Sequence, residues 1–212
     1  MKNWSDIAPA GRPFIKMQGL KNHFVIIDGR AKPFKPSVDE IKYICDIGVG
    51  PGAEQIIVIE PITEHGHGAY ARSRIYNSDG TEAEACGNAT RCVAKLLMQE
   101  SGLDSLGIEI NFEVLKCQRD GENISVEMGK ISFDWDQIPL AEECDTLHVD
   151  IKDVGISDGV AVNVANPHLV FFVDDFDAVD LATVGSRVQK NPLLLKSANV
   201  GLAEIIDNTH IK

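Results

Sequence analysis

The sequence predicts a mixed fold of the α+β class, arranged in two units. Three observations support that prediction. Short apolar runs bounded by turn residues outnumber helical patterns along the chain. One long stretch, after Cys86, carries apolar residues Val93, Leu96 and Leu97 at helical spacing. From Lys130 to Cys144 the chain turns acidic and irregular, which separates residues 1–129 from residues 130–212.

The chain has 212 residues and a formal charge of −12. The charge argues against nucleic acid and anionic membrane as partners. No apolar run reaches the ~20 residues that span a bilayer, and Met1 to Met17 lacks the apolar core of a signal peptide, so a cytoplasmic location is expected. Five cysteines, unevenly spaced, suggest reduced thiols. No Cys-x-x-Cys or His-x-x-x-His spacing favours a metal. His65-Gly66-His67-Gly68 reads as a solvated hairpin loop before it reads as a metal site.

In the first unit, Phe14–Met17 and Phe24–Asp28 read as two short strands joined by a loop with a Gly turn. Asn22 in that loop either caps the turn or presents its amide to a ligand, and the local pattern favours the cap. Ser37 is placed to N-cap a helix, with Glu40 completing a capping box and Val38, Ile41, Ile44 and Cys45 on one face. Gly48-Val49-Gly50-Pro51-Gly52 lacks the Gly-Lys-Ser/Thr end of a phosphate loop. Gln55 then opens Ile56–Ile59, a continuous apolar run of the kind buried on both faces. Arg72–Tyr76 alternates as a half-buried strand does. After the Cys86 helix, which ends near Gly102, Ile108–Val114 and Ile124–Met128 are expected as strands around an Asp120-Gly121 turn.

In the second unit Lys130–Cys144 reads as a connector. Strands are expected at Thr146–Ile151, Val160–Val164, Leu169–Val173 and Ala203–Ile206, with a short helix within Asp177–Val188. Asn166-Pro167-His168 interrupts the run before Leu169. No counterpart of the Cys86 helix is visible. The face of Leu169–Val173 is therefore expected to be partly uncovered, which favours self-association and leaves room for a homodimer.

The chemistry is expected in Asn77 to Cys92. Asn77-Ser78-Asp79-Gly80 is a turn cluster, and Cys86 falls at or just before the first turn of a helix. Free N–H groups and the positive dipole end stabilise a thiolate there. The same N–H groups can hold a carboxylate. The competing reading is a buried structural thiol.

Met17-Gln18-Gly19-Leu20-Lys21-Asn22-His23-Phe24, Asn77-Ser78-Asp79-Gly80-Thr81-Glu82, Cys86-Gly87-Asn88-Ala89-Thr90-Arg91-Cys92, Asn166-Pro167-His168 and Asn199-Val200 resemble, in order and over most of the chain, the diaminopimelate epimerase family. The resemblance implies two pseudo-symmetric units, each a mainly antiparallel sheet around a central helix. It implies interconversion of LL- and meso-diaminopimelate, a small amino acid on the route to lysine and peptidoglycan, with no pyridoxal phosphate or other cofactor and no metal. Cys86 matches one of two acid/base cysteines, and His168 a histidine that supports a catalytic thiol. Gly87 and Asn88 match backbone N–H donors. Asn22, Gln55, Asn77, Asn166 and Asn199 match residues that hydrogen-bond the substrate.

The chain departs from the family in three places. The family's Gly-Asn-Asp is Lys21-Asn22-His23. The loop before Gln55 is one residue longer than the family's and its acid is changed, giving Gly52-Ala53-Glu54. The family's Glu-Arg-Gly segment and second Cys-Gly block do not occur, so the second unit is expected to be incomplete and the chain impaired as a truncated epimerase. The alternative is a degenerate paralogue that binds an amino-acid-like ligand without turning it over. A different cofactor-independent isomerase fits the Asn77–Cys92 block less well.

Overall fold

The computed structural model describes residues 11–83, 85–196 and 198–212. Between Met128 and Gly129 the chain divides into two compact units.

In the first unit seven strands form one sheet in chain order. They are β1 (Ile15–Gly19), β2 (Asn22–Asp28), β3 (Gln55–Glu60), β4 (Ala69–Asn77), β5 (Ser105–Ile110), β6 (Glu113–Asp120) and β7 (Asn123–Val126). The pairs β2–β3 and β4–β5 are parallel, and the other four are antiparallel. Helix α1 (Val38–Cys45) precedes β3, and α2 (Gly87–Ser101) precedes β5.

The period of two along each strand sends one set of side chains to α2. Met17, Phe24, Ile26, Ile57, Ile59, Ala71, Ile75, Leu106, Ile108, Ile110, Leu115, Cys117, Ile124 and Val126 all join one core with Ala89, Cys92, Val93, Ala94, Leu97 and Met98 of the helix. Both edge strands, β1 and β7, pack against α2. A sheet whose two edges touch one helix must curl around it. The opposite face of β2 and β3 is covered as well, with Val25, Ile27, Ile56 and Val58 packing on Ile41, Ile44, Cys45 and Phe34. Burial on both faces explains why these two strands read as continuous apolar runs.

Local chemistry sets the helix ends. Ser37 Oγ accepts from Glu40 N–H at 3.3 Å, and Glu40 accepts from Ser37 N–H at 2.8 Å, the expected capping box. Val38 is half exposed, although the periodicity puts it with Ile41. Helix α2 stops at Gly102, whose φ of 72° is left-handed and whose N–H bonds Met98 O.

Several boundaries differ from the sequence expectation. Ile108–Val114 is not one strand. Asn111 (φ 46°) and Phe112 (φ 70°) make a two-residue turn inside it, separating β5 from a longer β6. An apolar Phe in a left-handed turn position gives no turn signal in sequence. Thr146–Ile151 is not a strand; only Val149 makes a bridge, to Gly159. The last strand lies at Asn199–Ala203 rather than Ala203–Ile206, because Ile205 pairs with Ile211 in a separate bridge.

In the second unit β8 (Gly159–Asn163), β9 (Pro167–Phe172) and β10 (Asn199–Ala203) form a three-stranded sheet in the order β10–β9–β8. Helix α3 (Leu181–Gln189) packs on β10. Pro167 and His168 sit inside β9 rather than interrupting before it. The acidic stretch from Lys130 is more than a connector. It lends Ile138 and Leu140 to a core with Val149, Ile151, Val154, Ala161, Leu169, Phe171, Val184 and Val188. Leu169 and Phe171 are therefore fully buried, against the expected uncovered face, while Phe172 on the other face is half exposed.

The β1–β2 turn carries a cost that the sequence makes visible. Leu20 (φ 49°) and Lys21 (φ 70°) both sit in the left-handed region, which disfavours residues with a Cβ. Replacing Lys21 by Gly should stabilise the chain by about 1 kcal/mol. Urea unfolding monitored by circular dichroism measures this, and an unchanged or lower midpoint would contradict the strain argument.

Candidate active site

Three strands of the first unit end in amide side chains. Asn22 starts β2, Gln55 starts β3 and Asn77 ends β4. Each lies an even number of residues from an inward-facing neighbour (Phe24, Ile57 and Ile75), so all three fall on the α2 face of the sheet. The register places Phe24 beside Gln55 and Gln55 beside Asn77. The strands thus offer carboxamides at one end of the core, the end where Asn88 of α2 meets Asn22.

Cys86 is the N-cap of α2, with extended backbone and no side-chain capping bond. Its carbonyl accepts from Thr90 N–H and Thr90 Oγ, each at 2.9 Å. The first-turn N–H groups of a helix have no intrahelical acceptor, and the Cys86 side chain takes none of them. The macrodipole places partial positive charge at the same point. A thiol and an anion-binding helix start therefore share one turn. Gly19 permits the close approach of β1: a Cβ there would stand 3.1 Å from Asn88 O and 3.5 Å from Cys92 Sγ.

Two hydrogen-bonded chains hold the amides. In one, Glu54 accepts from Asn22 Nδ2 at 3.0 Å and from His23 N–H at 2.8 Å. Asn22 Oδ1 accepts from Asn88 Nδ2 at 2.7 Å, and Asn88 Oδ1 accepts from Arg91. In the other, Gln55 Nε2 donates to Asn77 Oδ1 at 2.9 Å, and Asn77 Nδ2 donates to Thr81 Oγ1 at 3.1 Å. Thr81 is fixed by Asp79, which accepts from its hydroxyl at 2.6 Å and its N–H at 2.8 Å. Partial burial raises the Glu54 carboxyl, but the bonds from Asn22 and His23 outweigh this and hold it below its ordinary range. Gln55 opens β3 directly after the altered loop.

The remaining sequence candidates lie in the second unit. Asn166 precedes β9, His168 lies within it, and Asn199 opens β10 as the register partner of His168. His168 Nε2 is 2.9 Å from Asn166 Oδ1, and Asn199 Nδ2 donates to Pro167 O at 3.4 Å. Burial pushes the imidazole below its ordinary value of 6.5. Neutral His168 donating through Nε2 keeps Nδ1 as an acceptor. The candidates thus form two clusters, Asn22, Gln55, Asn77, Cys86, Gly87 and Asn88 in one unit and Asn166, His168 and Asn199 in the other.

Sequence reasoning passed over Glu54 and Arg91 as site residues. Arg91 stands three positions after Asn88, the spacing at which helical side chains meet, so periodicity was signal enough. The contact of Glu54 with Asn22 crosses between strands and has no local signal. Among the described residues no group of three or more His, Cys, Asp or Glu side chains is placed to hold a metal. His65 packs edge-on to Phe112 at 5.1 Å. No helix among them is long and apolar enough to cross a membrane.

Comparison with known proteins places this architecture. The family model described as diaminopimelate epimerase matches residues 14–133. The chain is 41% identical over 203 residues to the diaminopimelate epimerase of Phenylobacterium zucineum, covering 93% of this chain and 72% of that one. It is 40% identical over 202 residues to the diaminopimelate epimerase of Rhodospirillum centenum, covering 95% and 69%. Among solved structures it is similar to a probable proline racemase from Agrobacterium radiobacter, with a TM-score of 0.64 at 12% identity, covering 93% of this chain and 68% of that one. At that identity the likeness is one of fold.

Two outcomes follow for the titratable groups. Burial pushes the thiols of Cys45, Cys92 and Cys144 up, and that of Cys117 up to about 11. Cys86, at a helix start, should alkylate first under limiting iodoacetamide. Peptide mapping reads the order, and equal labelling of Cys86 and Cys117 would refute it. His168, whose depressed value makes protonation favour the unfolded chain, contributes stability that is present above pH 6.5 and lost as pH falls through the lower folded value. A proton NMR titration of its ring should show a midpoint below 6.5, and one above it would contradict the burial argument.

Proposed function

This chain belongs to the diaminopimelate epimerase family, and from that premise we propose that Cys86 exchanges the α-proton of diaminopimelate. The observation that supports the reading is the uncapped Cys86 at the start of α2, with Gly87 and Asn88 in its first turn and Asn22 bonded to Asn88. In the proposal the Cys86 thiolate takes the α-proton. The C–H bond breaks, an S–H bond forms, and the electron pair remains on the α-carbon, delocalised into its carboxylate. First-turn N–H groups and carboxamides hold that carboxylate and stabilise the charge it gains. Return of a proton to the opposite face gives the other isomer. By their match to the family, Asn166 and Asn199 are assigned to substrate binding and His168 to the support of a catalytic thiol. The product would feed lysine and cell-wall precursor synthesis in the cytoplasm.

A two-base inversion needs a second acid. Cys86-Gly87 is the one Cys-Gly pair in the 212 residues, and no other side chain is assigned that part. We therefore propose that these 212 residues by themselves turn substrate over slowly. Loss of an essential acid/base costs ~10²–10⁴-fold. The test is conversion of LL- to meso-diaminopimelate by the 212-residue protein beside the Phenylobacterium relative. A rate lower by about that factor supports the proposal. Full turnover that Cys86→Ser abolishes would show that another group supplies the second proton. Full turnover that survives Cys86→Ser would remove Cys86 from the mechanism.

A further inference from the structure

The chain Glu54–Asn22–Asn88–Arg91 has a polarity that its two middle members cannot set for themselves. A carboxamide carries a donor and an acceptor of nearly equal size, and either can face a neighbour. Asn22 and Asn88 are both of this kind. The ends of the chain are not. A carboxylate only accepts and a guanidinium only donates. Glu54 obliges Asn22 to turn its Nδ2 toward it, at 3.0 Å. Asn22 Oδ1 then faces Asn88 and obliges Asn88 to turn its Nδ2 inward, at 2.7 Å. Asn88 Oδ1 is left facing Arg91, which can only donate. Reversing either amide sets donor against donor or acceptor against acceptor at both of its contacts.

We propose that Glu54 is a positioning residue for the function given above: acting through Asn22, it fixes the orientation of both carboxamides and ties the first turn of α2 to the start of β2. The inference rests on that reading for its substrate class, a carboxylate. Each amide nitrogen commits one N–H within the chain, and the second N–H of each is a donor suited to a carboxylate. Asn88 is also the second residue of α2, so the bond from Asn22 holds the helix turn that bears Cys86. Glu54 occupies the altered loop before β3, and its side chain is about half exposed (52%), so the fold does not depend on burying it. The same carboxylate oxygen that holds Asn22 also accepts from His23 N–H at 2.8 Å. That second bond matters for the test. A glutamine at position 54 is made to point its oxygen, rather than its nitrogen, at His23 N–H, and therefore at Asn22.

Three variants separate acceptor polarity from charge and from folding: Glu54→Gln, Glu54→Ala and Glu54→Lys. Two readouts are taken without substrate, the side-chain amide resonances of Asn22 and Asn88 in a ¹⁵N–¹H spectrum and the rate of Cys86 alkylation. Glu54→Gln should keep both pairs of resonances and alkylate within about twofold of the parent, whereas Glu54→Ala and Glu54→Lys should displace or broaden the resonances and slow alkylation about three- to tenfold, the weight of one hydrogen bond. If the Ala variant fails to fold, the Gln and Lys pair carries the same comparison. Parent-like resonances in Glu54→Ala or Glu54→Lys would overturn the proposal. So would a Gln variant as disturbed as the Lys one, since charge and not acceptor polarity would then be at work. Because neither readout uses diaminopimelate, failure of the parent to bind that compound overturns the functional reading alone.

Discussion

Closure of the first sheet onto α2 is the constraint from which the other features follow. Because β1 and β7 both pack on the helix, every strand between them presents its inward residues to one axis. A residue at the end of any strand is then held near an end of the helix. Asn22, Gln55 and Asn77 owe their grouping to this closure, and so does the approach of Gly19 to Asn88. The apolar burial is substantial: Phe24, Ile57, Ile75, Leu97, Met98 and Ile108 are almost wholly removed from water, each contributing about 1.5–3 kcal/mol before entropic costs. That interior holds Cys86 at a helix start, where its partly buried side chain packs against the same core.

Much of the first unit was legible in sequence because its signals are local. Ser37 and Glu40 announce α1, Gly102 ends α2, and the apolar runs of β2 and β3 reflect coverage on both faces. The failures also have physical reasons. The β5–β6 turn uses Asn111 and Phe112 in left-handed conformations, and nothing in a phenylalanine advertises a turn. In the second unit, Ile138 and Leu140 sit in an acidic stretch that reads as a connector, yet they join the core with Leu169 and Phe171. Burial there depends on partners distant in sequence, which periodicity does not report. The site divides in the same way. Cys86, Gly87, Asn88 and Arg91 follow from one helix start, while the link from Glu54 to Asn22 exists only once β2 and β3 are paired side by side.

The departures at positions 21, 23 and 54 take on a common meaning in three dimensions. Lys21 occupies a left-handed position that suits glycine, so the turn before Asn22 is strained. Glu54 bonds both Asn22 and the backbone of His23, and its carboxylate lies 3.7 Å from the His23 ring. The altered loop thus returns to the altered turn and secures it. Asn22 bonds Asn88 although both of its sequence neighbours differ from the family pattern.

Cys86 at the start of α2 is proposed as a working proton-transfer group. The most direct measurement of that role is solvent deuterium incorporation at the α-carbon, with the 212-residue protein and the LL- and meso-isomers of diaminopimelate in D₂O. A thiol that removes the proton and exchanges with solvent returns deuterium to the same face, so no second acid is needed for label to appear. Incorporation should be detected with inversion slower by ~10²–10⁴-fold than in the Phenylobacterium relative, and it should be lost in Cys86→Ser. Incorporation undiminished in Cys86→Ser, or none at either stereocentre in the parent while the substrate is bound, would contradict it.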